Sequence, residues 1–511
     1  MTPQTPPNPD APADSLATRI RTIVTLDPAR GAIEQRGTWS SWGAIAKLMQ
    51  STAARLAGAA PGTPVGLVLR NRPAHVAALL EVLLSGRCLV PINPFQAPEK
   101  LTADLASLRC PIVIADAEDW PVIEPAVRAT GAQGLRLAGL GEDLSIAAVE
   151  GLERTGTGPH RAPMPGTGVE MLTSGTTGPA KRIRLAYANF ERALLDALFY
   201  EAGGREVRLK NAVVFASAPL VHIGGLWAVI PAFLSGRSVC LFEKFNVVEW
   251  HSAVKRHRPK LVPLVPTALR MVYDAGIPRE DLASLIAIRT GTSPLDWDFK
   301  ERFEARYGVP ILDSFGATEF AGGVAGWTLE DHRKFARDKR GSVGRVQPGC
   351  ELRVVDRDTG AVLDTGQPGL LEVRAPHIAN GAWVRTTDLA EVDADGFLFI
   401  RGRADDAIIR GGFKILPGDV AKALARHPSV KEASVVGLKD DRLGAVPVAA
   451  VELRPGAPVP TEDELIATAR AHLTTYMVPV AVKIVDALPR TPSLKVSQPG
   501  VRALFEGAAN A

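Results

Sequence analysis

Cysteine is scarce in this chain: 511 residues hold four, at positions 88, 110, 240 and 350. They lie far apart, mostly within apolar stretches, at spacings that suit neither a metal cluster nor a redox pair. Buried thiols in a reducing, cytoplasmic setting are expected. Excess charge of one sign is also missing, with Lys+Arg 59 against Asp+Glu 55 and a net charge of +4. The densest basic run, His251 to Lys260, reads as the solvated end of a helix, so nucleic acid is not an expected partner. No long apolar run goes uninterrupted. Ala212 to Leu234 could span a bilayer by length, but Pro219, Gly224, Gly225 and Pro231 divide it, and Val213 to Ala216 suits a buried strand. The N-terminus is Pro-rich and acidic rather than basic then apolar, so residues 1–13 read as a disordered lead-in and not as a leader peptide.

A Walker loop is absent as well, yet something like one is present. Residues 173–181 read Thr173-Ser174-Gly175-Thr176-Thr177-Gly178-Pro179-Ala180-Lys181 behind the apolar Val169 to Leu172. Hydroxyls and backbone N–H groups can wrap a polyphosphate, glycine lets the backbone come close, and lysine adds a point charge. The glycine-to-lysine spacing does not fit the Walker pattern, and Arg182 stands where that pattern needs a metal-binding hydroxyl. A flexible surface loop is the plain alternative.

The length calls for more than one domain. Val65 to Leu69, a helical stretch from His75 to Leu84, and Cys88 to Ile92 make a strand–helix–strand unit. Val213 to Ala216, an apolar helix, and Ser238 to Phe242 repeat it, and both helices end in Leu-Ser-Gly-Arg. Duplication and independent use of a common helix stop read equally well. Strand-like runs follow at Leu261 to Val265, Leu285 to Arg289 and Ile311 to Ser314, then short alternating strands from Gly349 to Val373. In the last hundred residues Pro417 to Ala425 reads as helix, and Ser434 to Gly437, Val446 to Val451 and Val480 to Val485 as strands. Thr461 and Glu464 form a capping box there. The expected fold is α/β: a large N-terminal domain, 14–404, of βαβ-type sheet-and-helix subdomains plus a small antiparallel unit. A small mobile α+β domain, 405–511, follows it.

Four further segments carry chemistry. They are Phe315-Gly316-Ala317-Thr318-Glu319; Thr386-Thr387-Asp388; Gly402-Arg403-Ala404-Asp405-Asp406 with Gly411-Gly412; and Leu488-Pro489-Arg490-Thr491-Pro492-Ser493-Leu494-Lys495. With the 173–181 loop they resemble, in order, the motifs of the adenylate-forming superfamily of acyl- and aryl-CoA synthetases, peptide-synthetase adenylation domains and firefly luciferase. The resemblance runs from about Leu16 to Phe505. It implies an AMP-forming acid–CoA ligase that uses ATP with Mg²⁺, a carboxylic acid and coenzyme A; a homodimer is left open.

The resemblance also implies roles. Residues 173–178 and Lys181 would hold the β- and γ-phosphates, Glu319 the metal, and Thr318 the α-phosphate. Phe315, beside Gly316, would stack on adenine in place of the usual tyrosine. Asp388 would accept from both ribose hydroxyls, with Arg403 near ribose or phosphate. Lys495 would stabilise charge as the acyl-adenylate forms, although Leu494 departs from the glycine usual before it. Asp405 would be the hinge of the small domain, and Gly411-Gly412 would line the pantetheine path. His222, in Pro219 to Leu226, would border the acyl pocket. Gly291-Thr292-Ser293-Pro294-Leu295 resembles the family's Gly-Gly-Ala-Pro-Leu along pocket and nucleotide. No amino-acid-selecting aspartate follows the pocket strand, which leaves an aryl, cyclic or medium-length aliphatic acid. Two other readings stay open: transfer of the adenylate to a carrier protein or other acceptor, and a degenerate homologue that only binds.

Overall fold

A computed structural model describes residues 15–172, 182–198, 206–411, 413–491 and 494–506. The lead-in, the 173–181 loop and Gly412 lie outside the described residues. The chain divides into two compact units, one running to Met171 and resuming over Ile183–Pro259, the other built mainly from Lys260 onward.

In the first unit, parallel strands Gln133–Ala138, Ile112–Asp116, Pro64–Val68, Cys88–Ile92 and Thr167–Leu172 form the centre of a seven-stranded sheet. The expected strand–helix–strand is here. Its helix, Pro73–Leu84, is apolar apart from His75 and Glu81, and every residue of it is buried, as so apolar a composition requires. The second such unit is also present, with Val213–Ala216 parallel to Ser238–Leu241 and the helix Ile223–Leu234 connecting them. The repeated Leu-Ser-Gly-Arg is one helix stop used twice. Gly86 and Gly236 take φ of +72° and +67°, and the next N–H reaches back from Arg87 to Val82 and from Arg237 to Ala232, closing a Schellman turn.

Not legible beforehand was the partner of that second unit. Gly31–Gln35 adds to Ser238–Leu241 in parallel, Ile33 opposite Val239 and Glu34 opposite Cys240. The basic run is a helix end, Val247–His257, but it is not wholly solvated. Arg256 Nη2 meets the buried Glu34 carboxylate at 2.5 Å, and His257 closes on its other oxygen. Burial tends to raise the Glu34 pKa, and its hydrogen bonds with His257 and Arg256 outweigh this and hold the carboxylate low. Cys88, Cys110 and Cys240 are buried thiols as expected, while Cys350 is only half-buried. Among the described residues no helix is long and apolar enough to cross a membrane.

The second unit opens with three short parallel strands, Leu261–Pro263, Ala287–Arg289 and Ile311–Leu312. The single strand expected over Ile311 to Ser314 breaks at Asp313, whose carboxylate accepts the Ser314 N–H at 2.8 Å. The chain restarts as Ser314–Ala317, antiparallel to Gly322–Gly326. The expected antiparallel unit follows as Glu351–Val355, Gly369–Arg374, Val384–Val392 and Leu398–Arg403. Beyond it, a five-stranded sheet joins Ile408–Arg410, Phe413–Ile415, Val430–Asp440, Gly444–Leu453 and Ala481–Val485. This part has its own core, with Val420, Leu424, Val435, Val451 and Leu465. Its long hairpin exceeds the two short strands expected there, whereas the Thr461–Glu464 capping box forms as read.

Candidate active site

In open α/β sheets, ligand sites gather at the carboxyl ends of parallel strands. The three short strands of the second unit deliver the candidates in this way. The first runs on to the helix Pro266–Asp274, the second to Thr290-Gly291-Thr292, and the third through Asp313 to Phe315 and Glu319. The last two segments lie against each other. Ser314 Oγ donates to the Thr290 carbonyl at 2.9 Å, and a Cβ on Gly291 would fall 2.8 Å from the Ser314 carbonyl oxygen, so only glycine permits this approach. Thr292, where the resemblance places a second glycine, is left-handed at φ +69°.

Phe315 is half-buried against the cluster of Phe320, Val324 and Leu371. Gly316 is required by the hairpin, because a Cβ there would sit 2.3 Å from the Gly322 carbonyl. Thr318–Phe320 forms a 3₁₀ turn that holds Glu319 exposed. Among the described residues no ion pair engages Glu319, and its charge reaches Asp388. An exposed carboxylate whose charge is felt by a second one, Asp388, offers the oxygen-donor chemistry that suits a hard cation such as Mg²⁺.

Asp388 stands directly opposite Arg403 on adjacent antiparallel strands. Burial pushes its pKa up, only partly offset by the Arg403 charge. Arg403 is gripped at both ends by Asp405, Nε to Oδ1 at 2.9 Å and Nη2 to Oδ2 at 2.7 Å. Burial raises the Asp405 pKa, and that grip more than reverses it. Asp406, next in line, is pushed up by burial, and among the described residues its buried Oδ1 has no partner.

Lys495 is tied back to Thr491 by the backbone. The Leu494 N–H donates to the Thr491 carbonyl and the Thr491 N–H to the Lys495 carbonyl, each at 2.8 Å. Leu494 is left-handed at φ +64°, so the missing glycine changes the residue and keeps the glycine-like backbone. Lys495 is half-buried, and burial alone pulls its pKa below the ordinary lysine range. The Leu494 carbonyl is taken by Thr267 Oγ1 at 3.0 Å and by Arg490 Nη1 at 3.2 Å. Sequence reasoning did not single out Thr267 and offered no signal for it. Arg490 was inside a recognised motif, without a role.

Gly411 turns between Ile408–Arg410 and Phe413–Ile415 at φ +57°. His222 belongs to the first unit, where it caps Ile223–Leu234 from the N-terminal side. Gly225 packs so tightly on Pro219 that a Cβ would lie 2.2 Å from its carbonyl oxygen.

A parallel-strand frame with a carboxylate–arginine cluster and a half-buried lysine suits a nucleotide-handling enzyme of the α/β class. Two family models match, one described as AMP-binding enzyme over residues 21–383 and one as AMP-binding enzyme C-terminal domain over 419–495, and the chain belongs to this adenylate-forming family. It is 30% identical over 507 residues to indoleacetate–CoA ligase of Aromatoleum aromaticum, covering 94% of this chain and 96% of that protein. It is 28% identical over 480 residues to 4-coumarate–CoA ligase 3 of Oryza sativa subsp. japonica, covering 88% and 84%. Its fold matches the o-succinylbenzoate coenzyme A synthetase of Bacillus subtilis solved with ATP and magnesium, with a TM-score of 0.75 and 25% identity over 95% of this chain and 99% of that one.

Proposed function

We propose that this enzyme is an AMP-forming acid–CoA ligase whose acid carries an aromatic ring. In the first step an acid oxygen attacks the α-phosphate of ATP, the bond to the β-phosphate breaks, and pyrophosphate leaves. In the second the thiolate of coenzyme A attacks the acyl carbon and AMP departs. Both reactants of the first step are anions, so charge neutralisation and positioning dominate the barrier. Lys495 supplies positive charge at the reacting oxygens, and Arg403 and Asp388 hold the ribose side. The 173–181 residues with Lys181 take the outer phosphates, Thr318 the α-phosphate, and Phe315 the adenine. Bound at Glu319, Mg²⁺ would neutralise phosphate charge. Asp405 serves as hinge and Gly411-Gly412 as the path for pantetheine, while His222, Gly291 and Thr292 border the acid.

The observation that carries this reading is Lys495: half-buried, with no counter-ion among the described residues, a state that a departing or arriving anion would relieve. The aromatic acid rests on the kinship to the indoleacetate and 4-coumarate ligases. The test is acid-dependent pyrophosphate release over 4-coumarate, indoleacetate, 2-succinylbenzoate and straight-chain acids, with products read by mass. Aryl-CoA with AMP is the expected result. Adenylate that accumulates untouched by coenzyme A would remove the thiol as acceptor, and preference for straight-chain acids would remove the aromatic class.

A further inference from the structure

One face of the helix Pro266–Asp274 interacts both with the segment that carries Lys495 and with the strand Val430–Asp440. Thr267, Arg270 and Asp274 fall on the same side, three and seven residues apart. Thr267 Oγ1 donates to the Leu494 carbonyl at 3.0 Å and accepts from Arg490 Nη1 at 3.0 Å. Arg490 in turn is anchored by Glu432 at 2.6 Å, whose charge also acts on Arg270. Asp274 meets Lys431 at 3.6 Å, and Lys431 meets Glu452 at 2.8 Å.

The carbonyl that this face receives is the one where the backbone is least comfortable. A leucine at φ +64° meets a steric penalty that glycine would not. Such a conformation persists only where its surroundings over-determine it, and the two donors on the Leu494 oxygen do so. The peptide they fix is the one that leads directly into Lys495. Among the described residues the Thr267 hydroxyl bonds to the Leu494 carbonyl and Arg490 and not to the Lys495 amine, so its effect passes through this carbonyl.

We propose that Thr267 is a positioning residue for Lys495: with Arg490 it clamps the Leu494 carbonyl and so holds the left-handed peptide from which the lysine projects. The catalytic consequence rests on Lys495 being the adenylation lysine; the clamp itself does not. Two measurements on the full-length protein therefore separate the ideas. Hydrogen exchange, without any ligand, follows the amides of Thr491, Leu494 and Ser497. Their exchange is expected to quicken on the order of 5- to 20-fold in Thr267→Val and to stay unchanged in Thr267→Ser, which keeps the hydroxyl. Unchanged exchange in Thr267→Val overturns the clamp.

The kinetic arm uses pyrophosphate release with 4-coumarate and indoleacetate. Thr267→Val should lower kcat about 10-fold, leave KM for ATP in place, and spare thioester formation from synthetic adenylate, with Thr267→Ser restoring the rate. Equal loss in both half-reactions overturns the positioning role. If Lys495→Ala costs nothing, the lysine's assignment falls while the exchange result still decides the clamp. A final check is Leu494→Gly, which removes the strain; in that background Thr267→Val should matter less, and an undiminished effect contradicts the mechanism.

Discussion

At the scale of single residues, the carboxylate opposite Arg403 gives the sharpest handle on nucleotide binding. Burial raises the Asp388 pKa, so the charged form, proposed above to accept from a ribose diol, is lost at a higher pH than for an exposed aspartate. KM for ATP should rise as pH falls toward that pKa. Asp388→Asn should raise KM about 10- to 100-fold with a smaller change in kcat, since charged acceptors are worth about 1.5–3 kcal/mol, and should flatten the pH dependence. Lys495 moves in the opposite sense. Its pKa is lowered by burial, so adenylation should decline with rising pH sooner than an ordinary lysine would allow. Lys495→Ala should cost on the order of 10²–10³ in acid-dependent pyrophosphate release, with thioester formation from synthetic adenylate largely spared. Both residues could be singled out from the sequence because they sit in short motifs whose order along the chain is distinctive. Thr267 was not, because an isolated threonine at a helix start has the same local appearance whether or not a carbonyl from position 494 arrives beside it.

At the scale of elements, legibility followed the range of the forces. The strand–helix–strand units, the capping box and the Leu-Ser-Gly-Arg stops depend on neighbours within a few residues, and they form as read. The break at Asp313 hangs on one carboxylate bonding the next amide, and no periodicity announces it. The long hairpin of Val430–Asp440 and Gly444–Leu453 takes its length from cross-strand pairing, which local pattern underestimates. The hairpin around Gly316 offers a test. Gly316→Ala puts a methyl 2.3 Å from the Gly322 carbonyl, so Ser314–Ala317 must part from its neighbour. A loss of about 1–3 kcal/mol from overpacking is expected, together with weakened ATP binding through the displaced Phe315. Gly418→Ala is the control: nothing lies within 4 Å of its Cβ, and the helix Pro417–Leu424 should gain up to about 1 kcal/mol. Denaturation curves and nucleotide titration read both.

At the scale of the whole molecule, stability should carry the mark of Asp313. Burial pushes its carboxyl up to about 7 from 3.8, against the pull of Ser314 N–H and Lys300. A raised carboxyl binds its proton more tightly folded than unfolded. Its contribution is therefore complete below the unfolded pKa and is lost as pH climbs to about 7. That window is worth roughly 4 kcal/mol at 1.36 kcal/mol per pKa unit. Chemical denaturation from pH 4 to 8 should show the decline in the wild type, and Asp313→Asn, which keeps the oxygen that accepts from Ser314, should remove most of it. An unchanged slope would mean that the carboxyl titrates like an exposed one.

Ile33 lying against Val239 also has a meaning for the chain as it is made. At about 5–20 residues per second, the ribosome needs on the order of ten to forty seconds to pass from one to the other. Over that interval Gly31–Gln35 can pair with Thr38–Ser41 while its other edge waits for a strand not yet synthesised. An unpaired edge is where one nascent chain can join another, so the birth of this protein, more than its mature state, is when a chaperone would matter to it.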